Sequence, residues 1–118
     1  MSQEVKPQEP PQSKGLFGEG GYRTFLELRE FVKKAPNEQL PGTGTMLYVK
    51  ERVQLIEELQ KYAARVGQSY SISEQTWREL ILPEIKKEEY QLYSSGKTRE
   101  MKELQGKIQQ IEKWIKGY

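Results

Sequence analysis

The chain has 118 residues, of which 31% are charged and 35% apolar, and its nineteen basic and seventeen acidic side chains leave a net charge of +2. That length is one domain with a small core, and so near a balance of charge is no general attraction to nucleic acid. With neither cysteine nor histidine, disulfides, thiolate metal sites, thiol nucleophiles and serine–histidine catalysis are excluded.

Met1 to Lys14 holds Pro7, Pro10 and Pro11 among Ser, Gln, Glu and Lys. So little apolar surface cannot offset the entropy of ordering, and residues 1–14 are expected to form a disordered Pro/Gln-rich arm. They carry no apolar run of a secretory signal, and no stretch of the chain is apolar enough to span a bilayer, so the expected location is cytoplasmic. Gly15 to Gly21 follows with four glycines around Leu16 and Phe17. Its glycine spacing does not fit a dinucleotide fingerprint, and it reads as a flexible hinge in which Leu16 and Phe17 tack the arm to the core. Residues 15–118 are expected to form a single helical domain.

Helix one is predicted from about Thr24 to Lys34. Thr24 and Glu27 have capping-box spacing, Phe25, Leu28 and Val32 make one apolar edge, and Pro36 ends the run. Leu40-Pro41-Gly42-Thr43-Gly44 is similar to the five-residue signal of sortase substrates. In that family the signal precedes a hydrophobic segment and a basic tail near the C-terminus; here seventy-four polar-rich residues follow, and the match reads as coincidence. Met46 to Val66 is predicted as helix two, with Val49, Val53, Ile56, Leu59, Ala63 and Val66 at helical spacing and Gly67 as its stop.

Helix three is expected to start at Ser71 to Ser73, with Trp77, Leu80, Ile81 and Ile85 inward. Pro83 should kink it or split it at Leu82, and Leu92 and Tyr93 are expected to face inward beyond. After Ser94-Ser95-Gly96 comes helix four, in an antiparallel hairpin with helix three. The fold class read from the sequence is thus all-α, a small bundle of about four helices.

The last helix carries the two surfaces of most interest. Met101, Leu104, Ile108, Ile111, Ile115 and Tyr118 follow at steps of three and four on one side. This stripe is a candidate partner-binding seam, coiled-coil-like in spacing, and its competing reading is burial in the chain's own core. The opposite side carries Arg99, Lys102, Gly106, Gln109, Lys113 and Lys116. The helix macrodipole accounts for Lys113 and Lys116 in the last turn, but not for Arg99 and Lys102 in the first turns. These four cations are the candidate anion-binding residues.

Other chemistry fits poorly. Gly96-Lys97-Thr98 lacks the earlier glycine and the strand of a phosphate loop. Glu57-Glu58 and Glu88-Glu89 read as solvated helix surface, and Glu84 with Glu88 supplies too few oxygens for a metal. A helix-turn-helix on Ala63, Gly67 and Ser73 to Leu82 would expose Glu74, Glu79 and Glu84 to phosphates. No catalytic, cofactor-binding or metal-ligating residue is therefore assigned. The expected role is a non-enzymatic adaptor or regulator that binds a protein partner, or itself, through helical surfaces. The alternative is a nucleic-acid binder using the basic face of the last helix.

Overall fold

The computed structural model describes residues 15–117, so the expected arm, residues 1–14, and Tyr118 lie outside the described residues. The elements run β1 (Tyr22–Thr24), α1 (Phe25–Lys33), β2 (Glu38–Gln39), β3 (Met46–Leu47), α2 (Val49–Arg65) and β4 (Ser71–Ser73). They continue as α3 (Glu74–Thr76), a π-helical turn (Trp77–Ile81), α4 (Leu82–Ser94) and α5 (Thr98–Lys116). The fold is mostly helical, and two antiparallel ribbons correct the all-α expectation. One pairs β1 with β4, Arg23 opposite Ile72; the other pairs β2 with β3, Glu38 opposite Leu47.

The β1–β4 ribbon joins two helix starts. Thr24 Oγ1 accepts from the Glu27 N–H at 3.1 Å while Glu27 Oε1 accepts from the Thr24 N–H at 2.8 Å. Ser73 repeats the arrangement with Thr76, at 3.1 and 2.9 Å. Each strand therefore ends on a reciprocal cap that satisfies two orphan amides of the following helix. Opposite residues of an antiparallel pair share a face, so Ile72 turns inward, 2% exposed, while Tyr22 on the other face is 58% exposed.

Pro83 does not split the third helical rod. A proline removes one hydrogen bond, and its ring collides with the carbonyl four residues back. The preceding turn widens to meet this: the Leu82 N–H donates to the Trp77 carbonyl, five residues away. α3, the π turn and α4 consequently run on without a gap. The wider turn also changes which residues face inward. Trp77, Ile81 and Ile85 are buried, whereas Leu80 is 42% and Tyr93 68% exposed, against the inward placement expected for both. At the end of α4 the Lys97 N–H reaches the Leu92 carbonyl and the Gly96 N–H that of Tyr93, so the chain reverses into α5.

The core is one cluster. Phe25, Leu28 and Val32 of α1 meet Leu55, Ile56, Leu59 and Ala63 of α2, with Trp77, Ile81 and Ile85 of the third rod and Leu104, Ile108, Ile111 and Trp114 of α5. Val49, read from its spacing as part of the apolar edge of helix two, is 46% exposed instead. Gly15 to Phe17 is anchored rather than flexible, with Leu16 and Phe17 on the core as the sequence suggests. Leu16 is fully buried, Phe17 is 5% exposed, and the Leu16 N–H donates to the Trp114 carbonyl at 2.9 Å. Gly15 lies so close to α5 that a Cβ there would run into the Ile115 carbonyl oxygen.

Arg52 of α2 is only 2% exposed, and no carboxylate pairs with it among the described residues. Its guanidinium donates to the carbonyls of Val32 at 2.6 Å and Leu47 at 2.7 Å and to Asn37 Oδ1 at 2.6 Å. Val32 stands at the end of α1, where the helix carbonyls gather partial negative charge, and its carbonyl also accepts from the Ala35 N–H at 3.2 Å. The buried cation thus closes α1 and ties it to β3.

Candidate functional site: the two sides of the last helix

α5 is buried on two sides, which decides what its sequence-predicted residues can do. Leu104, Ile108 and Ile111 are 7%, 6% and 3% exposed. They enclose a small gap together with Leu55, Leu59 and Tyr62 of α2 and Ile85 of α4. Met101 and Ile115, at the ends of the same stripe, are half-buried. Tyr118 lies outside the described residues. The middle of the stripe is therefore occupied by the chain's own core, and a partner could reach it only by unfolding the domain.

The second buried side includes Gly106, which its spacing places on the outward face. Gly106 is enclosed by the β2–β3 hairpin: a Cβ there would strike the Pro41 carbonyl oxygen and stand 3.1 Å from Leu40 Cγ. Gln110 is fully buried and donates through Nε2 to Glu38 Oε2 at 3.2 Å. Trp114, also fully buried, carries the carbonyl that holds Leu16. Residues 106, 110 and 114 are four apart and lie one above another. A glycine, an amide and an indole give no apolar rhythm, so this seam was not legible as core.

The same hairpin contains the sortase-like pentapeptide. Leu40 is 2% exposed, and the Thr43 N–H donates to its carbonyl at 3.1 Å, so the five residues form a folded turn.

The hairpin also divides the cationic stripe. Lys113 Nζ lies 2.5 Å from Glu38 Oε1 and is neutralised by it. Lys116 is exposed in the last turn. Arg99 and Lys102 are exposed in the first turns and form no ion pair among the described residues. They border a shallow groove of about 500 Å³ whose other walls are Gly42, Thr43, Thr45, Thr98 and Glu103. Arg99 and Lys116 are separated by about 25 Å along the helix. The four candidate cations do not form one surface.

On the other flank of α5 lies an exposure that the sequence reading missed. Tyr90 and Tyr93 of α4 are 69% and 68% exposed. With Met101 and Gln105 of α5 they line a groove of about 350 Å³, which Lys86 and Glu89 complete. Glu89 accepts from Gln105 Nε2 at 2.6 Å and lies 3.4 Å from Lys86, so the polar wall is fixed. Two tyrosines three residues apart would have marked this face, had the phase of α4 been known.

Two carboxylates singled out in the sequence, Glu84 and Glu88, hold helices together. Glu84 and Glu88 face Arg65 of α2 at 4.0 and 3.6 Å, and Tyr62 donates its hydroxyl to Glu88 at 3.0 Å. Burial, together with this hydrogen bond, pushes the Tyr62 phenol up to about 12. Among the described residues no group of carboxylates is placed to hold a metal ion. The helix-turn-helix reading fails on geometry, because β4 separates the two helices and Trp77 is 1% exposed. No helix of the described residues is long and apolar enough to cross a membrane. Compared with known proteins, the chain matches no family model, no curated protein and no solved structure.

Proposed function

We propose that the chain is a non-enzymatic adaptor or regulator of the cytoplasm that docks a protein partner on the free end of the α4–α5 hairpin. The observation that carries this reading is the groove of Tyr90, Tyr93 and Met101, with both tyrosines more than two-thirds exposed. Tyrosine and methionine are enriched at the centres of protein interfaces, and tyrosine supplies contact area at little conformational cost. The apolar stripe of α5 no longer serves in this role, since its central residues are in the core.

The test is affinity capture from the native host with the wild-type chain and with a Tyr90→Ser/Tyr93→Ser double variant. Both side chains are solvated, so the variant should melt within about 0.5 kcal/mol of wild type. The reading expects specific proteins to be retained by the wild type and lost from the variant. Equal retention by two equally folded chains would sink it. Light scattering on the purified chain separates self-association from binding to another protein.

Arg99 and Lys102 support a second reading, contact with nucleic-acid phosphate. Two phosphate contacts correspond to a salt slope of about −1.8, roughly a tenfold loss of affinity between 50 and 200 mM salt. An Arg99→Glu/Lys102→Glu variant should abolish whatever binding shows that slope. So small an electrostatic contribution places this reading second.

A further inference from the structure

Gln110 and Trp114 stand four residues apart on α5, both fully enclosed. Each carries one side-chain atom with no hydrogen-bond partner: the amide oxygen of Gln110 and the indole nitrogen of Trp114. Residues at this spacing lie one above the other on a helix. The indole can only donate. The amide orientation is set by Glu38, because the Gln110 nitrogen donates to that carboxylate at 3.2 Å and a flipped amide would turn oxygen against oxygen. An enclosed donor and an enclosed acceptor therefore share one helix face with no protein group joining them.

Enclosed polar groups in folded proteins are nearly always hydrogen-bonded, often through an ordered water. We infer that one water molecule is bound there, accepting from the Trp114 indole N–H and donating to the Gln110 amide oxygen. The chemistry selects water over an ion. A chloride would accept from the indole but could not donate to the amide, and a metal cation would meet the amide oxygen but repel the indole hydrogen. The water extends the polar chain of Lys113, Glu38 and Gln110 to Trp114, linking the β2–β3 hairpin to the inner side of α5. This inference is independent of the proposed docking role.

The experiment is a pair of water-selected NOE and ROE spectra on the folded wild-type chain with labelled indole nitrogens. A long-lived bound water gives the Trp114 indole hydrogen a cross-peak to water, with opposite signs in the two spectra. Gln110→Leu should lose that cross-peak while keeping a dispersed amide spectrum. Absence of the wild-type cross-peak, or equal signs reporting exchange with bulk water, would overturn the inference. A crystal structure with the indole nitrogen within hydrogen-bond distance of the Gln110 oxygen would overturn it too, and needs no variant to fold.

Discussion

Gly106→Ala tests the two-sided burial of α5 through the sign of its effect. In an exposed helix interior, alanine replaces glycine with a gain of about 1 kcal/mol. That gain is what the outward placement read from the sequence would give. In the structure the new methyl group would run into the Pro41 carbonyl oxygen and come within 3.1 Å of Leu40 Cγ. The hairpin cannot simply retreat. Glu38 holds it to Gln110 at 3.2 Å and to Lys113 at 2.5 Å, and Leu40 is 2% exposed. Overpacking of this kind costs about 1–3 kcal/mol. Set against the propensity gain, the expected result is a net loss on the order of 1 kcal/mol, a fall in melting temperature of roughly 4–8 °C for a domain of this size.

Urea denaturation and a thermal melt followed by far-ultraviolet circular dichroism measure both quantities. Gln109→Ala, at the exposed neighbouring position, serves as the control, because it changes propensity without approaching the hairpin. Backbone shifts of Leu40 to Thr43 should move in Gly106→Ala and stay in Gln109→Ala. A Gly106→Ala protein that melts higher than wild type would refute the reasoning, and with it the docking of the hairpin on α5.

Arg52→Met keeps much of the side-chain volume but removes the side-chain donor to the carbonyls of Leu47 and Val32, of which Val32 still accepts from the Ala35 N–H; at about 1–3 kcal/mol for an orphaned buried group, the melt should fall by about that much, and a neutral result would contradict the capping role. Leu16→Ala should cost about 2–5 kcal/mol, because Leu16 is fully buried, whereas a hinge residue would cost almost nothing in the same melt. Tyr62 has its phenol pushed up to about 12 by burial and then by Glu88. A folded value above the unfolded value of about 10 means that the stability this group contributes is present below pH 10 and lost as pH rises toward 12. Ultraviolet titration should show one phenol ionising at the top of that range, absent from Tyr62→Phe; tyrosines that all ionise together near pH 10 would contradict it.

Much of the helical plan was legible because its signals are local. The Thr24–Glu27 box needs four residues, and the stops at Gly67 and Gly96 need only a glycine after a periodic run. What escaped depends on contacts between distant segments. β1 to β4 are two or three residues long, too short for an alternating pattern to stand out. The π turn at Trp77–Ile81 inserts its offset before Pro83; Ile85 still falls inward and Leu92 still packs on the core, but Tyr93, placed inward by its spacing, is exposed. The burial of Arg52 and Gln110 has no signal in the sequence, because charged and amide side chains are mostly exposed. In Gly15 to Gly21 the glycines suggest a hinge while Leu16 and Phe17 suggest an anchor, because glycine permits both motion and close approach and composition alone does not separate the two.

These corrections bear directly on where a partner can bind. A cation on a helix face counts towards an outside partner only if the fold does not use it. Lys107 meets Glu58 at 2.7 Å and Lys113 meets Glu38 at 2.5 Å, so two of the cations of α5 are committed internally. Among the described residues, the free cations of this helix are thereby reduced to its two ends. At the first of these, Arg99 and Lys102 stand on one flank and the Tyr90–Tyr93–Met101 groove on the other. Protein docking and phosphate contact are thus competing uses of one end of the molecule. Substitutions there separate them, since losing the tyrosines should leave a salt-dependent interaction intact and reversing the two charges should leave an aromatic one.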